Sequence, residues 1–180
     1  LEFRRVLFRS DAAKTLQRRP QSGGDVADVQ ALLPAVLAAV TQRHGLPAEV
    51  ITVQSASHSP LLVAGRSADV EIVLRNLLDN AVKYSLPDPR VTVTLGRTNT
   101  GRVRIEVADN GPGIPPPLRP QVFGRFVRLG SELERSTPGT GLGLFLVRSL
   151  VRQMRGRVSV RGRQPPPGAV FEVELPVARP

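Results

Sequence analysis

Gly139-Thr140-Gly141-Leu142-Gly143-Leu144 runs straight into Phe145-Leu146-Val147-Arg148-Ser149-Leu150-Val151, a stretch apolar at helical spacing. A glycine run that feeds a helix aims free backbone N–H groups at an anion. About thirty residues earlier stands Asp109-Asn110-Gly111-Pro112-Gly113-Ile114, a second glycine-rich turn. Glycine lets backbone approach a ligand closely and supplies the positive φ values that such turns need. Two turns at this separation point to a nucleotide site, with one wall for the base and another for the phosphates.

Upstream, Asp69–Tyr84 reads as a helix containing Val73-Leu74-Arg75-Asn76-Leu77-Leu78-Asp79-Asn80-Ala81-Val82-Lys83-Tyr84. Asn76 and Asn80 are four apart and share a face. Lys83 and Tyr84 follow one turn later. An earlier helix carries Val29, Leu32, Leu33, Val36, Leu37 and Val40 and ends near Gly45. Val50–Gln54 and Leu61–Ala64 read as short strands. Arg90–Leu95 and Arg102–Val107 alternate around Asn99-Thr100-Gly101 and form a hairpin. From Pro115 to Pro138 the pattern breaks down, as it does in a functional loop or lid. A third helix spans about Leu142 to Met154, and Arg157–Arg161 and Ala169–Leu175 close the chain as strands around Pro165-Pro166-Pro167-Gly168. The expected fold is a two-layer α/β sandwich, three helices on one face of a mixed, mostly antiparallel sheet.

Composition narrows the function classes. The chain has 180 residues, room for one domain with a real core, and no cysteine, which excludes disulfides and thiolate metal sites. The most apolar stretch, near Ala31–Val40, contains Pro34 and is about half a membrane span. Net charge is +10, and of the 25 basic residues only Lys14 and Lys83 are lysine. The arginines are dispersed, aromatics are few and no nucleic-acid motif occurs, so neither nucleic acid nor membrane is expected as a partner. Leu1–Ser10 reads as a non-native leader, residues 11–25 as the remnant of a preceding helix and a linker, and 26–178 as the domain.

The ordered blocks resemble the catalytic ATP-binding domain of bacterial sensor histidine kinases. The asparagine box lies at 73–85, the first glycine box at 109–114, a phenylalanine box at Val122-Phe123-Gly124-Arg125-Phe126-Val127-Arg128 and the second glycine box at 139–144. The resemblance covers about Val26 to Pro176 and implies the Bergerat ATP-binding fold, with ATP and Mg²⁺ as cofactors. It places Asn80 on Mg²⁺, Lys83 on a phosphate oxygen, Tyr84 against the adenine and Asp109 on the adenine amine. It places Gly111, Gly113 and Ile114 around the base, and Phe126, Gly139, Thr140, Gly141, Leu142, Gly143 and Leu144 around the lid and phosphates. Asp-Asn-Gly is also a common turn, so Asp109 reads equally as a turn cap. Arg125 and Arg128 read either as lid groups for the transferring phosphoryl or as solvated charges.

Family members that hydrolyse ATP keep a glutamate four residues before the metal asparagine, as general base for water. Here that position is Asn76, whose amide takes no proton. The resemblance therefore implies phosphoryl transfer to histidine. An ATP-binding regulatory module and an anti-sigma-factor-type serine kinase are the alternatives. Neither His44 nor His58 lies in the phosphoacceptor context. The acceptor is expected upstream of Val26, on a dimerisation bundle outside this chain, so the chain alone is not expected to autophosphorylate. Expected partners are that acceptor domain and a response regulator. The domain is expected to be monomeric and cytoplasmic, and the parent protein dimeric and anchored in the plasma membrane. Pro138, Arg155-Gly156 and the proline turn depart from the family pattern.

Overall fold

The computed structural model describes residues 25–57, 59–127 and 140–178. Three helices, α1 (Val29–His44), α2 (Ser67–Lys83) and α3 (Gly143–Gln153), pack on one face of a five-stranded sheet. Its strands are β2 (Ile51–Ser55), β4 (Val91–Arg97), β5 (Val103–Ala108), β6 (Arg157–Gly162) and β7 (Ala169–Leu175), in the order β2-β4-β5-β7-β6. The β2–β4 pairing is parallel and the rest antiparallel. This is the two-layer arrangement that the sequence implies.

Alternation sets the layers. Val91, Val93, Leu95, Val103, Ile105, Val107, Phe171, Val173 and Leu175 are buried against the helices. Leu74, Leu77 and Leu78 of α2, which lies between α1 and α3, meet them. Each such burial contributes about 1.5–3 kcal/mol. The opposite sheet face is polar. Arg104 stands opposite Glu174 and lies 3.8 Å from both Glu172 and Glu174, and Arg161 reaches Glu106 at 3.1 Å. Partial burial, then the neighbouring Glu106, pushes the Glu172 carboxyl up. The two sheet edges are β2, whose Thr52, Gln54 and Ser55 are exposed, and β6, with exposed Arg157 and Arg161.

One strand was not legible in the sequence. β1 (Val26–Asp28) pairs antiparallel with β3 (Leu62–Ala64) in a separate two-stranded sheet, so Leu62–Ala64 does not join the main sheet. Three residues carry no usable periodicity. Asp28, the last residue of β1, caps α1 by accepting from the Gln30 and Ala31 amides at 3.0 and 3.4 Å. Gly45 ends that helix at φ +63°. Pro34 sits inside α1 without ending it. No helix among the described residues is long and apolar enough to cross a membrane.

The Arg155-Gly156 pair at the end of α3 has a physical reading. Gly156 is pinned, because a Cβ there would lie 2.6 Å from the Glu174 carbonyl oxygen. Arg155 carries the left-handed turn, φ +56°, that a glycine usually takes after a helix. Arg155→Gly keeps the backbone carbonyl that accepts from Arg102 at 2.6 Å. It should raise stability by about 1 kcal/mol, moving the melting temperature up by roughly 2–4 °C. A calorimetric melt checks this, and an unchanged or lower midpoint would show that the arginine conformation is unstrained.

Candidate nucleotide site

Asp109 follows β5 and is 5% exposed. Its Oδ1 accepts from the backbone N–H of Gly111 at 2.9 Å and of Ala169 at 3.1 Å. The turn-cap reading of Asp109 is therefore met through Oδ1, and Oδ2 has no donor among the described residues. Burial pushes the carboxyl above its ordinary range, while the two amides and the Arg163 charge pull it back. Around it the backbone is tight. A Cβ on Gly111 would lie 2.7 Å from the Tyr84 carbonyl oxygen, and one on Gly113, at φ +77°, would lie 2.9 Å from that of Gly168. Ile114 packs against the core beside this turn.

The end of α2 supplies the next wall. Asn76 donates its side-chain amide to the Ile72 carbonyl at 2.8 Å. A Cβ on Gly143 would lie 2.8 Å from its Oδ1, so Asn76 stands at the foot of α3. Asn80 is half-buried one turn on, and its carbonyl accepts from the Tyr84 amide at 3.0 Å. Tyr84 is 48% exposed, with the Lys83 ammonium 4.9 Å from its ring centre.

The second glycine turn packs on the phenylalanine box. The Phe126 amide donates to the Gly141 carbonyl at 3.0 Å. Gly141 lies at φ +69°, and a Cβ there would come 2.8 Å from the Phe126 carbonyl carbon. Leu142, whose amide donates to Thr140 Oγ1 at 3.4 Å, precedes α3 without a side-chain cap, and the first turn holds no acid. The opening N–H groups of Gly143 and Leu144 are thus left for an anion. Phe123 is core, edge-on to Phe171 at 6.2 Å. Phe126 is 59% exposed at φ +59°. Arg125 lies 4.6 Å over the Phe145 ring of α3, a contact that neither sequence reading foresaw. Gly139, Arg128, Pro138 and His58 lie outside the described residues.

His44 is structural, as its sequence context implied: its Nε2 lies 3.0 Å from Asp79 Oδ1, and Arg43 holds Oδ2 at 2.9 Å. Sequence reasoning missed Asn110. Its Oδ1 accepts from the Arg90 amide at 2.7 Å and its Nδ2 donates to the Asp88 carbonyl at 2.9 Å, fastening the loop after Tyr84 to the glycine turn. Asn-Gly signals a turn by itself, and nothing local shows that the side chain reaches back some twenty residues.

Residues 65–179 match the family described as histidine kinase-, DNA gyrase B- and HSP90-like ATPase. The chain belongs to this family. Within it, the chain is 41% identical over 121 residues to the signal transduction histidine-protein kinase/phosphatase MprB of Mycolicibacterium paratuberculosis, covering 66% of this chain and 23% of that protein. The chain thus spans about a quarter of the length of the curated relatives it matches. A solved mycobacterial sensor histidine kinase MprB superposes with a TM-score of 0.71 and 35% identity, over 84% of this chain and 97% of that one. Full-length ShkA in complex with AMPPNP gives a TM-score of 0.67 and 32% identity over 88% and 32% of the two chains. This member of the ATPase family is therefore similar to sensor histidine kinase catalytic domains in both sequence and fold.

Two outcomes follow for this ATPase-family site. Asp109→Asn keeps an oxygen for the two amides but replaces the free acceptor with a donor, so ATP affinity should fall by about 1.5–3 kcal/mol. An acid whose folded pKa is raised favours the fold below its unfolded pKa, and that contribution is lost as pH rises through the folded pKa. At pH 7 the uncharged variant, without ligand, should therefore melt higher than the parent. Titration calorimetry and melting curves check both, and a lower melting point would show that burial does not dominate at Asp109. Gly141→Ala meets backbone on one side and a left-handed φ on the other, so ATP affinity should drop with the rest of the fold retained. Equal affinity in the alanine variant would remove the Phe126–Gly141 contact from the site.

Proposed function

We propose that the chain is the catalytic ATP-binding domain of a two-component sensor histidine kinase, presenting Mg-ATP for γ-phosphoryl transfer to a histidine on a separate domain. The observation that carries this reading is the half-satisfied carboxylate of Asp109, in a glycine turn that packs on Tyr84 at the end of α2, the helix whose Asn76 meets the uncapped start of α3. Gly111, Gly113 and Gly141 each pack so closely on neighbouring backbone that a Cβ would clash, which fixes the shape of the two glycine turns. Asp109 Oδ2 accepts the adenine amine and Tyr84 lies along the base. Lys83 and the opening amides of α3 meet phosphate oxygens, with Thr140 and Leu142 forming the loop before them. Asn80 offers a hard side-chain oxygen, the donor type Mg²⁺ takes in small number while keeping water and phosphate ligands. When bound, that ion neutralises phosphate charge.

What the chain contributes is positioning and electrostatics. Asn76 stands at the phosphate end but lacks the basicity to take a proton from water, which favours transfer over hydrolysis. The acceptor imidazole forms its N–P bond as the bond from γ-phosphorus to the bridging oxygen breaks, and ADP leaves with the electron pair. A response-regulator aspartate then takes the phosphoryl group. In this reading the domain is monomeric and cytoplasmic, within a membrane-anchored dimeric parent.

Asn80→Ala should nearly abolish transfer to a supplied acceptor domain while circular dichroism and melting stay near those of the parent, because Asn80 is half-buried and outside the apolar core. Without acceptor, phosphate release should be slow, since a missing general base typically removes about 10²–10⁴-fold. Release at order 1 s⁻¹ without acceptor, or strong transfer by folded Asn80→Ala, would overturn the assignment.

A further inference from the structure

The proline turn between β6 and β7, which the sequence marks only as unusual, is seated against the back of the first glycine turn. Arg163 opens it, its amide donating to the Gly168 carbonyl at 3.0 Å. The Arg163 Nη1 donates to the backbone carbonyl of Asp109 at 3.2 Å. Gly168 follows at φ +134°, where a Cβ would collide with that same carbonyl oxygen and lie 3.0 Å from Arg163 Cδ. The next residue, Ala169, supplies one of the two amides that hold Asp109 Oδ1, and its carbonyl accepts from the Asp109 amide at 2.9 Å. The turn therefore grips Asp109 through its carbonyl, its amide and its carboxylate, with Arg163 as the charged member.

We propose that Arg163 is a positioning residue of the nucleotide site, fixing the Asp109 turn from behind and supplying the counter-charge that keeps its carboxylate ready to accept the adenine amine. This rests on the reading that Asp109 receives adenine. The ionisable groups on the surrounding elements are Lys83 and Tyr84 at the end of α2, Asp88 and Arg90 in the loop held by Asn110, Arg119 in the lid's first turn, and Arg163. Arg90 is paired with Asp88 at 2.8 Å. Arg119 donates to the Ile114 carbonyl at 3.0 Å. Among the described residues, Arg163 is the one whose charge acts on the Asp109 carboxyl, in the direction that opposes burial. It is half-buried, and its hydrogen bond goes to the Asp109 backbone carbonyl rather than to the carboxylate.

The test is ADP binding to the full chain by calorimetry between about pH 5 and pH 8, with each variant's affinity divided by the parent's at the same pH to cancel titration of the nucleotide. In Arg163→Gln, the loss of affinity on acidification should begin at a higher pH than in the parent. Arg163→Lys, which keeps the charge, should restore the parent profile. A purely structural role would lower affinity by the same factor at every pH, and that result would overturn the proposal. Carbon-13 NMR titration of the Asp109 carboxyl without ligand gives the second reading. Its midpoint should rise in Arg163→Gln, and an unmoved midpoint would overturn the proposal even if ADP binds. If the parent chain bound no ADP while the midpoint still moved, the adenine reading would fail and the charge coupling alone would stand.

Discussion

One carboxylate oxygen joins three parts of this domain. Asp109 Oδ1 accepts from Gly111 in its own turn and from Ala169 at the start of β7. The strand that ends in Asp109 is thereby locked to its neighbour and to the turn that carries the base wall. Such charge-assisted bonds are worth about twice a neutral one, and here they compete with burial, which disfavours the charge. A carboxylate kept in so dry a place is poorly explained by stability. On the proposed reading, its second oxygen serves a ligand that donates. Enzymes commonly hold such groups at a cost to their own fold.

Most of the fold was legible because the strands and helices carry their periods in full. Val103–Ala108 alternates without a break, and α2 places Val70, Val73, Leu74, Leu77, Leu78 and Ala81 along one buried face. β1 was invisible, since three residues next to a capping aspartate look like the approach to a helix. The site was legible for a different reason. Glycine at positions 111, 113 and 141 answers to backbone a few ångströms away, and that demand shows in the residue type.

What sequence could not show were side chains that act across long separations. Asn110 fastens the loop that follows Tyr84, and Arg163 reaches 54 residues back to the Asp109 carbonyl. Neither residue type is unusual where it stands, so only the folded geometry reveals the partner. Arg125 is a third case. Its position in the phenylalanine box suggested phosphate or solvent, and the structure lays it on the Phe145 ring, coupling the lid's base to the helix that opens the phosphate wall.

The polar face and edges of the sheet have a consequence for crowding. Two copies of this domain tethered together would meet at an effective concentration on the order of millimolar. Open strand edges at that concentration invite fusion of sheets between copies. Here one edge is the short β2, with Thr52, Gln54 and Ser55 exposed, and the other is β6, with exposed Arg157 and Arg161. Two β6 edges, each bearing arginines, repel when brought together, while β2 carries no charge and also exposes Val53. The β6 edge is thus blunted against pairing with a second copy, and the shortness of β2, five residues, is what limits pairing at the other.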